Sequence, residues 1–403
     1  MLSPQENDIL TRIGPGTPAG DLLRRYWHPL CVAAELTAEK PKKRVKILGE
    51  SLVAFRDKSG RYGVLAEQCA HRRASLYYGF VEEDGLRCPY HGWKYRADGQ
   101  CIEQPFEPKA STLKDEICQT AYPVEKLAGL LFVYMGPQPA PLLPRWETLV
   151  RTDGARRIRI LPDHACNWVQ TMENSVDATH TYYLHGHMMV LAGKPERARY
   201  HYRPMDKVEF ELVSEPAWTG IRKMRQFGGD DPEAEAGHPL IFPNILLVPQ
   251  REDLVIHWRV PIDDTTTRVI WFLFTPGAAA GDPDADPPVE YAPSFKNEDG
   301  EYELIKYAFA SQDMMAWETQ GPVCDRSQET LGTMDRGVVL YRKLLREQID
   351  RVRRGQEPAG VIRDPALGGM IRVTLSTGQA RAARESRQPA TDRRHEQDIK
   401  VRV

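Results

Sequence analysis

Hydrophobic and polar positions change rhythm three times along the chain. Over the first 40 residues the apolar positions Ile9, Ile13, Leu22 and Leu23 fall at helical intervals, interrupted by the turn-rich GPGTPAG of Gly14–Gly20. From Lys43 the period shortens to two. RVKILG, SLVAFR and, after the turn-forming DKSG of Asp57–Gly60, RYGVLA read as short antiparallel strands. A further apolar run, GLLFVYMG at Gly129–Gly136, ends in PQPAPLLP, which sets a boundary near residue 140.

Past that boundary the pattern mixes types. A helix is predicted around Asn167–Leu184, and strands at IFPNILLVPQ, LVIHWRVPI and RVIWFLFTP. The polar, Gly-containing stretches FGGDDPEAEAG and PGAAAGDPDADPP separate them as loops. A last helix over Arg336–Arg353 carries Val338, Tyr341, Leu345 and Ile349 at spacings of three and four, an apolar stripe on one face. The Arg-rich stretch after Gly378 has no apolar period and reads as a tail. The fold class expected is α+β: residues 1–140 form a β domain with a helical start, 141–355 an antiparallel sheet with helices, and 356–403 the tail.

With 403 residues the chain can bury two cores, so it has room for two chemical sites. Its 54 Lys and Arg against 56 Asp and Glu leave a formal charge of −2, which argues against nucleic acid or an anionic membrane as partner. The opening MLSPQENDILTRIG lacks the basic start and apolar run of a secretory leader, and no apolar stretch reaches the ~18 residues of a spanning helix. A cytoplasmic protein is expected. Seven cysteines, an odd and sparse set, do not suggest a disulfide framework. Cys31, Cys101, Cys118, Cys166 and Cys324 stand alone and read as small packed residues. Cys69 and Cys88 differ, because each has a histidine beside it.

The segment CAHRRASLYYGFVEEDGLRCPYHGW gives Cys69-x-His71, sixteen residues, then Cys88-x-x-His91. A Rieske [2Fe–2S] centre needs two thiolates on one iron and two imidazoles on the other, and two loops that each bring one Cys and one His supply that set. Pro89, Gly92 and Gly79 suit the tight turns such loops require. A structural zinc site uses the same ligand types, but usually groups its cysteines in one motif and its histidines in another. Here they alternate.

A second cluster lies in NWVQTMENSVDATHTYYLHGH, with His180 and His185 preceded by Asp177 and Asn174. Two imidazoles and a carboxylate on one face of iron(II) leave positions open for O₂. On a regular α-helix His180 and His185 stand about 140° apart, so they can share a metal only if the helix breaks or bulges between them. Gly186, next to Tyr182 and Tyr183, allows an ending there, and His187 is the alternative to His185. Asp177, three residues before His180, is placed to hydrogen-bond a ligand imidazole and to accept a second imidazole on its other oxygen.

Together these motifs make the chain resemble the catalytic subunit of the Rieske non-haem iron oxygenases, in the branch that holds phthalate dioxygenase and aromatic O-demethylases. The matching segments are LTRIGPGTPAGDLLRRYW, CAHRRASLYYG with CPYHGWKY, ENSVDATHTYYLH and SQDMMAWETQGPVCDRSQETLGTMDRG. The resemblance implies a helix-grip-like second domain. It implies that Cys69, His71, Cys88 and His91 hold the cluster and that His180 and His185 bind the mononuclear iron. Asp177 would link the two sites and Asn174 would stand near the metal. The third iron ligand is implied downstream at Asp313, with Asp325 and Asp335 as weaker matches. Also implied are a trimer or stacked trimers, a separate NAD(P)H-dependent flavin and iron–sulfur reductase, with or without a ferredoxin between, and O₂ as co-substrate. The resemblance implies hydroxylation or O-demethylation of an aromatic, carboxylated substrate; such a substrate needs Arg or Lys, and Arg222, Arg225 and Arg259 lie in the strand-rich region expected to wall its pocket, each open to the plainer reading of a surface residue. A Rieske electron carrier without oxygenase activity is the alternative reading.

Overall fold

The computed structural model describes residues 2–198, 201–228, 234–236, 238–249, 253–278 and 285–373. The stretch after Gly378 lies outside them. The two-residue rhythm after Lys43 becomes a meander of Lys42–Ile47, Glu50–Arg56 and Tyr62–Ala66, in which Val45 faces Leu52 and Val53 faces Leu65. Four short strands, Phe80–Glu82, Gly85–Arg87, Lys94–Tyr95 and Cys101–Glu103, form a second small sheet. Between these sheets lies a local core of Val53, Phe55, Leu65, Leu76, Leu86, Trp93 and Tyr95. A third sheet, Trp27–Val32 with Leu130–Tyr134 and Val124–Leu127, closes the first half.

The second half is built on one large sheet. Its strand order runs Met205–Glu215, Trp218–Phe227, Leu240–Ile241, Ile245–Pro249, Leu254–Asp263, Thr266–Pro276, Gly154–Ile160 and Val289–Tyr291, with Ala234–Ala236 beside Trp218–Phe227. Among the described strands only Gly154–Ile160 with Val289–Tyr291 pairs in parallel. Leu254–Asp263 is buried along nearly its whole length, which is why LVIHWRVPI shows no clean alternation. Ile256, Trp258 and Val260 belong to the main core together with Ile270 and Phe272. His257 and Arg259 alternate with them and share the opposite face. There Val269, opposite Arg259 in register, joins a separate cluster with Leu161, Cys166, Phe295, Met314 and Trp317.

The longer α-helices among the described residues frame the second half: α1 (Pro4–Thr11), α2 (Pro18–Leu23), α3 (Trp168–Val176), α4 (Phe309–Glu318) and α5 (Arg336–Arg353). Helix α1 begins in a capping box between Ser3 and Glu6. The predicted stripe of α5, Val338, Tyr341, Leu345 and Ile349, is buried. The helical start precedes the β domain in sequence but packs on the second half. Asn7 Nδ2 donates to the Cys324 carbonyl at 2.9 Å, and the Ile13 amide donates to Asp264 Oδ1 at 2.8 Å.

The two halves also meet through a hairpin tip. Leu48 and Gly49 connect paired strands with φ of 48° and 79°, the left-handed pair of a type I′ turn. Their amides donate to the carbonyls of Pro261 and Ile262, at the end of the His257 strand. Residues 356–373, expected to belong to the tail, are packed instead. Ile362, Ile371 and Val373 are buried, and the amides of Leu142 and Glu147 donate to the carbonyls of Ile362 and Ile371. Three apolar anchors in a Pro- and Gly-rich stretch have no period to reveal them. Among the described residues no helix is long and apolar enough to cross a membrane.

Candidate active site

Cys69 and Cys88 each open a loop of the same design. The Cys69 amide donates to the Ala74 carbonyl at 2.9 Å and the Arg73 amide returns to the Cys69 carbonyl at 2.9 Å; Cys88 with Trp93, and Gly92 with Cys88, repeat this at 2.8 and 3.2 Å. The fourth residue past each cysteine is left-handed, Arg73 at φ 64° and Gly92 at φ 74°. Gly79 lets the loops lie close, since a Cβ there would stand 2.2 Å from the Arg87 carbonyl oxygen. The result brings the candidate ligands together in two pairs. The thiols of Cys69 and Cys88 share a hydrogen bond, and the rings of His71 and His91 lie 4.6 Å apart.

The surroundings favour thiolate at Cys69 and oppose it at Cys88, whose thiol is pushed up by its hydrogen bond to Cys69 and by burial. A hydrogen bond from Cys88, and then one from the Tyr95 hydroxyl at 3.1 Å and the amides of His71 and Arg72, push the Cys69 thiol down to about 5 against the opposing effect of burial. Trp93 stacks on His71 at 4.3 Å with planes 7° apart, fixing that ring. His91 Nδ1 is buried and has no hydrogen-bond partner. Two facing thiols, two facing imidazoles and an orphaned ring nitrogen form a donor set that fits a [2Fe–2S] cluster.

The second site begins where α3 stops. Asp177 is not on a continuous helix with His180; it ends α3, its amide donating to the carbonyls of Glu173 and Asn174. Its Oδ1 then caps the next turn, accepting from the Thr179 amide at 2.7 Å and the Thr179 hydroxyl at 3.0 Å. That next turn, Thr181–His187, is a π-helix. Because π-helical bonds link residues five apart, His180 and His185 come to one side. The bulge that their spacing demands is therefore a widened turn, with ring centroids 5.2 Å apart.

Asp313 completes the group from α4. Its Oδ1 lies 3.2 Å from His185 Nε2 and 3.7 Å from His180 Nε2, and the three ligand atoms all fall within 4.8 Å of one another. Burial opposes ionisation of Asp313, but the charge and hydrogen bond of His185, then His180 and Arg259, hold its carboxyl down to about 2. Asn174 Nδ2 donates to the same Oδ1 at 3.4 Å. His185 Nδ1 meets Gln312 Oε1 at 2.9 Å. Because an amide oxygen only accepts, this contact keeps a proton on Nδ1, so Nε2, which here hydrogen-bonds Asp313, is the nitrogen left to bind a metal. Two imidazoles and a carboxylate so close together fit one divalent iron with open positions.

Asp177 touches this group from behind. Its Oδ2 lies 3.4 Å from His180 Nδ1, which is buried and otherwise lacks a hydrogen-bond partner. Burial of Asp177 is outweighed by the His180 ring and the Thr179 donors, which hold its carboxyl well below the usual range. Its side chain is still 26 % exposed, so the carboxylate reaches the surface.

The alternatives lie elsewhere. His187 Nδ1 faces the Tyr202 hydroxyl at 3.3 Å, Asp325 accepts from Ser327, and Asp335 Oδ2 accepts from the Gly332 amide. Arg222 pairs with Glu211 at 2.7 Å, while Arg225 donates to Thr181 Oγ1 at 3.1 Å and so braces the π-turn. Gln312 and His201 were not legible in the sequence. The His201 ring lies 5.3 Å from that of His185 and sits in no motif, while Gln312 lies in the matching segment SQDMMAWE without a role assigned to it. Only the adjacency of Gln312 to Asp313 could have drawn notice.

Comparison with known proteins gives the family. Residues 26–122 match the Rieske [2Fe-2S] domain and residues 295–375 the LigXa C-terminal domain like family. The chain is 38 % identical over 379 residues to the 5,5'-dehydrodivanillate O-demethylase oxygenase subunit of Sphingobium sp. (strain NBRC 103272 / SYK-6), covering 92 % of this chain and 86 % of that protein. It is 33 % identical over 402 residues to the phthalate 4,5-dioxygenase oxygenase subunit of Pseudomonas putida, covering 89 % of each. The fold is similar to the terminal oxygenase of carbazole 1,9a-dioxygenase from Novosphingobium sp. KA1, with a TM-score of 0.61 at 21 % identity over 85 % of this chain and 94 % of that one. These relatives are oxygenase subunits, and nothing among them supports an electron carrier alone. The chain belongs to the Rieske non-haem iron oxygenases, as the terminal oxygenase of a multicomponent system that carries a [2Fe–2S] cluster and a mononuclear iron.

Proposed function

We propose that Cys69, His71, Cys88 and His91 hold the cluster, that His180, His185 and Asp313 hold the mononuclear iron, and that Asp177 connects one centre to the other. The observation that carries this is the convergence of His180, His185 and Asp313 on one point, with Asp177 against the far nitrogen of His180. When bound, the two centres supply stored electrons and coordination positions for O₂. The protein's part is geometry. Gln312 fixes the tautomer of His185, Asp177 orients His180, and Asn174 holds Asp313.

The reaction class is hydroxylation or O-demethylation of an aromatic carboxylate. Support comes from relatives whose names include dehydrodivanillate, phenoxybenzoate and phthalate. Electrons come from NAD(P)H through a flavin and iron–sulfur reductase, directly or by a ferredoxin, in the cytoplasm. The assembly is a ring of three or a stacked pair of rings, in which one chain's cluster serves the next chain's iron. Partial exposure of His71 and His91 and the surface position of Asp177 support transfer between chains. So does the group of exposed aromatics around the cluster loops, Tyr78, Phe80, Tyr90 and Phe106. The test is a product screen of aromatic acids with a reconstituted reductase, reading formaldehyde and hydroxylated products. Product from at least one acid is expected; reduction of the cluster with no O₂-dependent product from any acid would sink the proposal.

A further inference from the structure

On the sheet face that packs against α4, buried hydrogen-bond donors outnumber their acceptors. His257 and Arg259 share this face, and Trp271, opposite His257 in register, stacks on it with ring centroids 4.5 Å apart and planes 8° apart. From α4, Trp317 lies under the Arg259 guanidinium at 4.6 Å. Trp317 stands one helical turn beyond Asp313, so this face adjoins the iron site.

Arg259 is 3 % exposed, and its Nε and Nη1 have no hydrogen-bond partner. Both ring nitrogens of His257 and the indole nitrogens of Trp271 and Trp317 are likewise buried and without a partner. The Arg259 backbone, by contrast, is held firmly. Its amide donates to the Asn244 carbonyl at 2.9 Å and its carbonyl accepts from Asn244 Nδ2 at 2.9 Å.

A buried guanidinium with unused N–H groups is costly unless an acceptor arrives. Burial pulls Arg259 down to about 10, partly offset by Asp313, so it is charged at neutral pH. Asp313, the acid whose charge reaches it, is turned to His185 and His180. Aromatic walls and a fixed cation with free donors suit a flat anion.

We infer that Arg259 is the residue that selects a carboxylated substrate, receiving the carboxylate on its unpaired N–H groups while the Trp271 and Trp317 N–H groups and His257 face the ring and its oxygen substituents. This rests on the aromatic-substrate reading above and names the residue that sets its charge preference. The test is calorimetric binding to purified holoprotein of phthalate, phenoxybenzoate and dehydrodivanillate, each against its methyl ester. An acid that binds the native protein should bind Arg259→Met roughly 10- to 100-fold more weakly, the loss of a charge-assisted hydrogen bond, with ester binding unchanged. Arg259→Lys, which keeps the charge but not the planar fork, should recover part of the affinity. Melting temperature and the visible spectrum of the cluster control for folding; should Arg259→Met not fold, weaker acid binding by Arg259→Lys with unchanged ester binding carries the same meaning. Equal acid affinity in native protein and variants, or a native preference for esters, overturns the inference. Acid binding lost in Arg259→Met, with no O₂-dependent product from any acid, would end the reaction proposal and leave this assignment standing.

Discussion

The two proposed metal sites share a pair of imidazoles and are built in opposite ways. The cluster loops are local: four ligands within 23 residues, one backbone pattern used twice, and a small core of their own. The iron site is assembled over distance. Gln312 stands 127 residues from the His185 it orients, and Asp313 reaches the histidines from a different helix. A local site owes its shape mainly to its own turns. A distributed one depends on whatever holds its helices in place, so mutations away from the metal should disturb the second site and spare the first.

The largest effect is expected at the junction between them. Asp177→Ala removes the carboxylate beside His180 and the cap on the π-turn. Turnover should fall on the order of 1000-fold, about 4 kcal/mol of barrier, while the cluster is still reduced and the iron content stays at about three per chain. Stopped-flow reduction with product analysis checks it, and full activity in the variant would remove Asp177 from the path between the sites.

Next comes the anchor of α3. Glu173 is buried between Arg326, at 2.7 and 2.9 Å, and Arg342, at 2.6 Å; Arg326 also holds Asn7 of α1. Glu173→Gln leaves the buried Arg326 without a counter-charge, while Arg342 keeps Glu329, and should cost about 3 kcal/mol of stability. Burial works to raise the Glu173 pKa, but the two arginines keep it below its ordinary value. A depressed carboxylate contributes stability above the unfolded value of about 4.3 and loses it as the pH falls through the folded value. Melting curves should therefore separate native protein and variant most near pH 7 and converge below about pH 4. A gap independent of pH would mean that Glu173 acts by packing alone.

A smaller and more selective effect is expected at Gln312→Leu, which takes the acceptor from His185 Nδ1. Iron affinity should drop about 10- to 100-fold, with the visible spectrum of the cluster unchanged. Equilibrium dialysis against iron(II) measures this, and loss of the cluster together with the iron would contradict the independence of the two sites.

The same contrast explains what could be read in advance. Cys69, His71, Cys88 and His91 were legible as the proposed cluster ligands because contiguous spacing carries the whole set. The pairing of His180 with His185 was legible only as a geometric demand, since nothing in THTYYLHGH states that the turn widens to a π-helix. Gln312 was invisible, because a glutamine before an aspartate becomes a support only when α4 is laid against the π-turn. The docking of α1 onto the second half, the Leu48–Gly49 tip on Pro261 and Ile262, and the burial of Ile362, Ile371 and Val373 are likewise long-range contacts that local periodicity does not encode. His257 and Arg259 were a partial signal. Two polar residues alternating within LVIHWRVPI mark one face of a strand otherwise buried on both sides.

The smallest effect tests whether the cluster loops are in fact one design used twice. Arg73 and Gly92 hold equivalent places, each returning its amide to the cysteine four residues earlier, and both are left-handed. Only glycine takes that conformation without a steric cost. The Arg73 side chain is exposed and its partner is the Gln68 side chain, a surface contact of small worth. Arg73→Gly should therefore stabilise the protein by about 0.5–1 kcal/mol, the relief of left-handed strain less the added freedom of the unfolded chain. The reverse change, Gly92→Ala, should destabilise by a similar amount, since it adds strain and sets a Cβ 3.1 Å from Pro105 Cγ. Denaturant titrations followed by cluster absorbance measure both; shifts of the same sign would show that the two loops, alike in hydrogen bonding, are held by different forces.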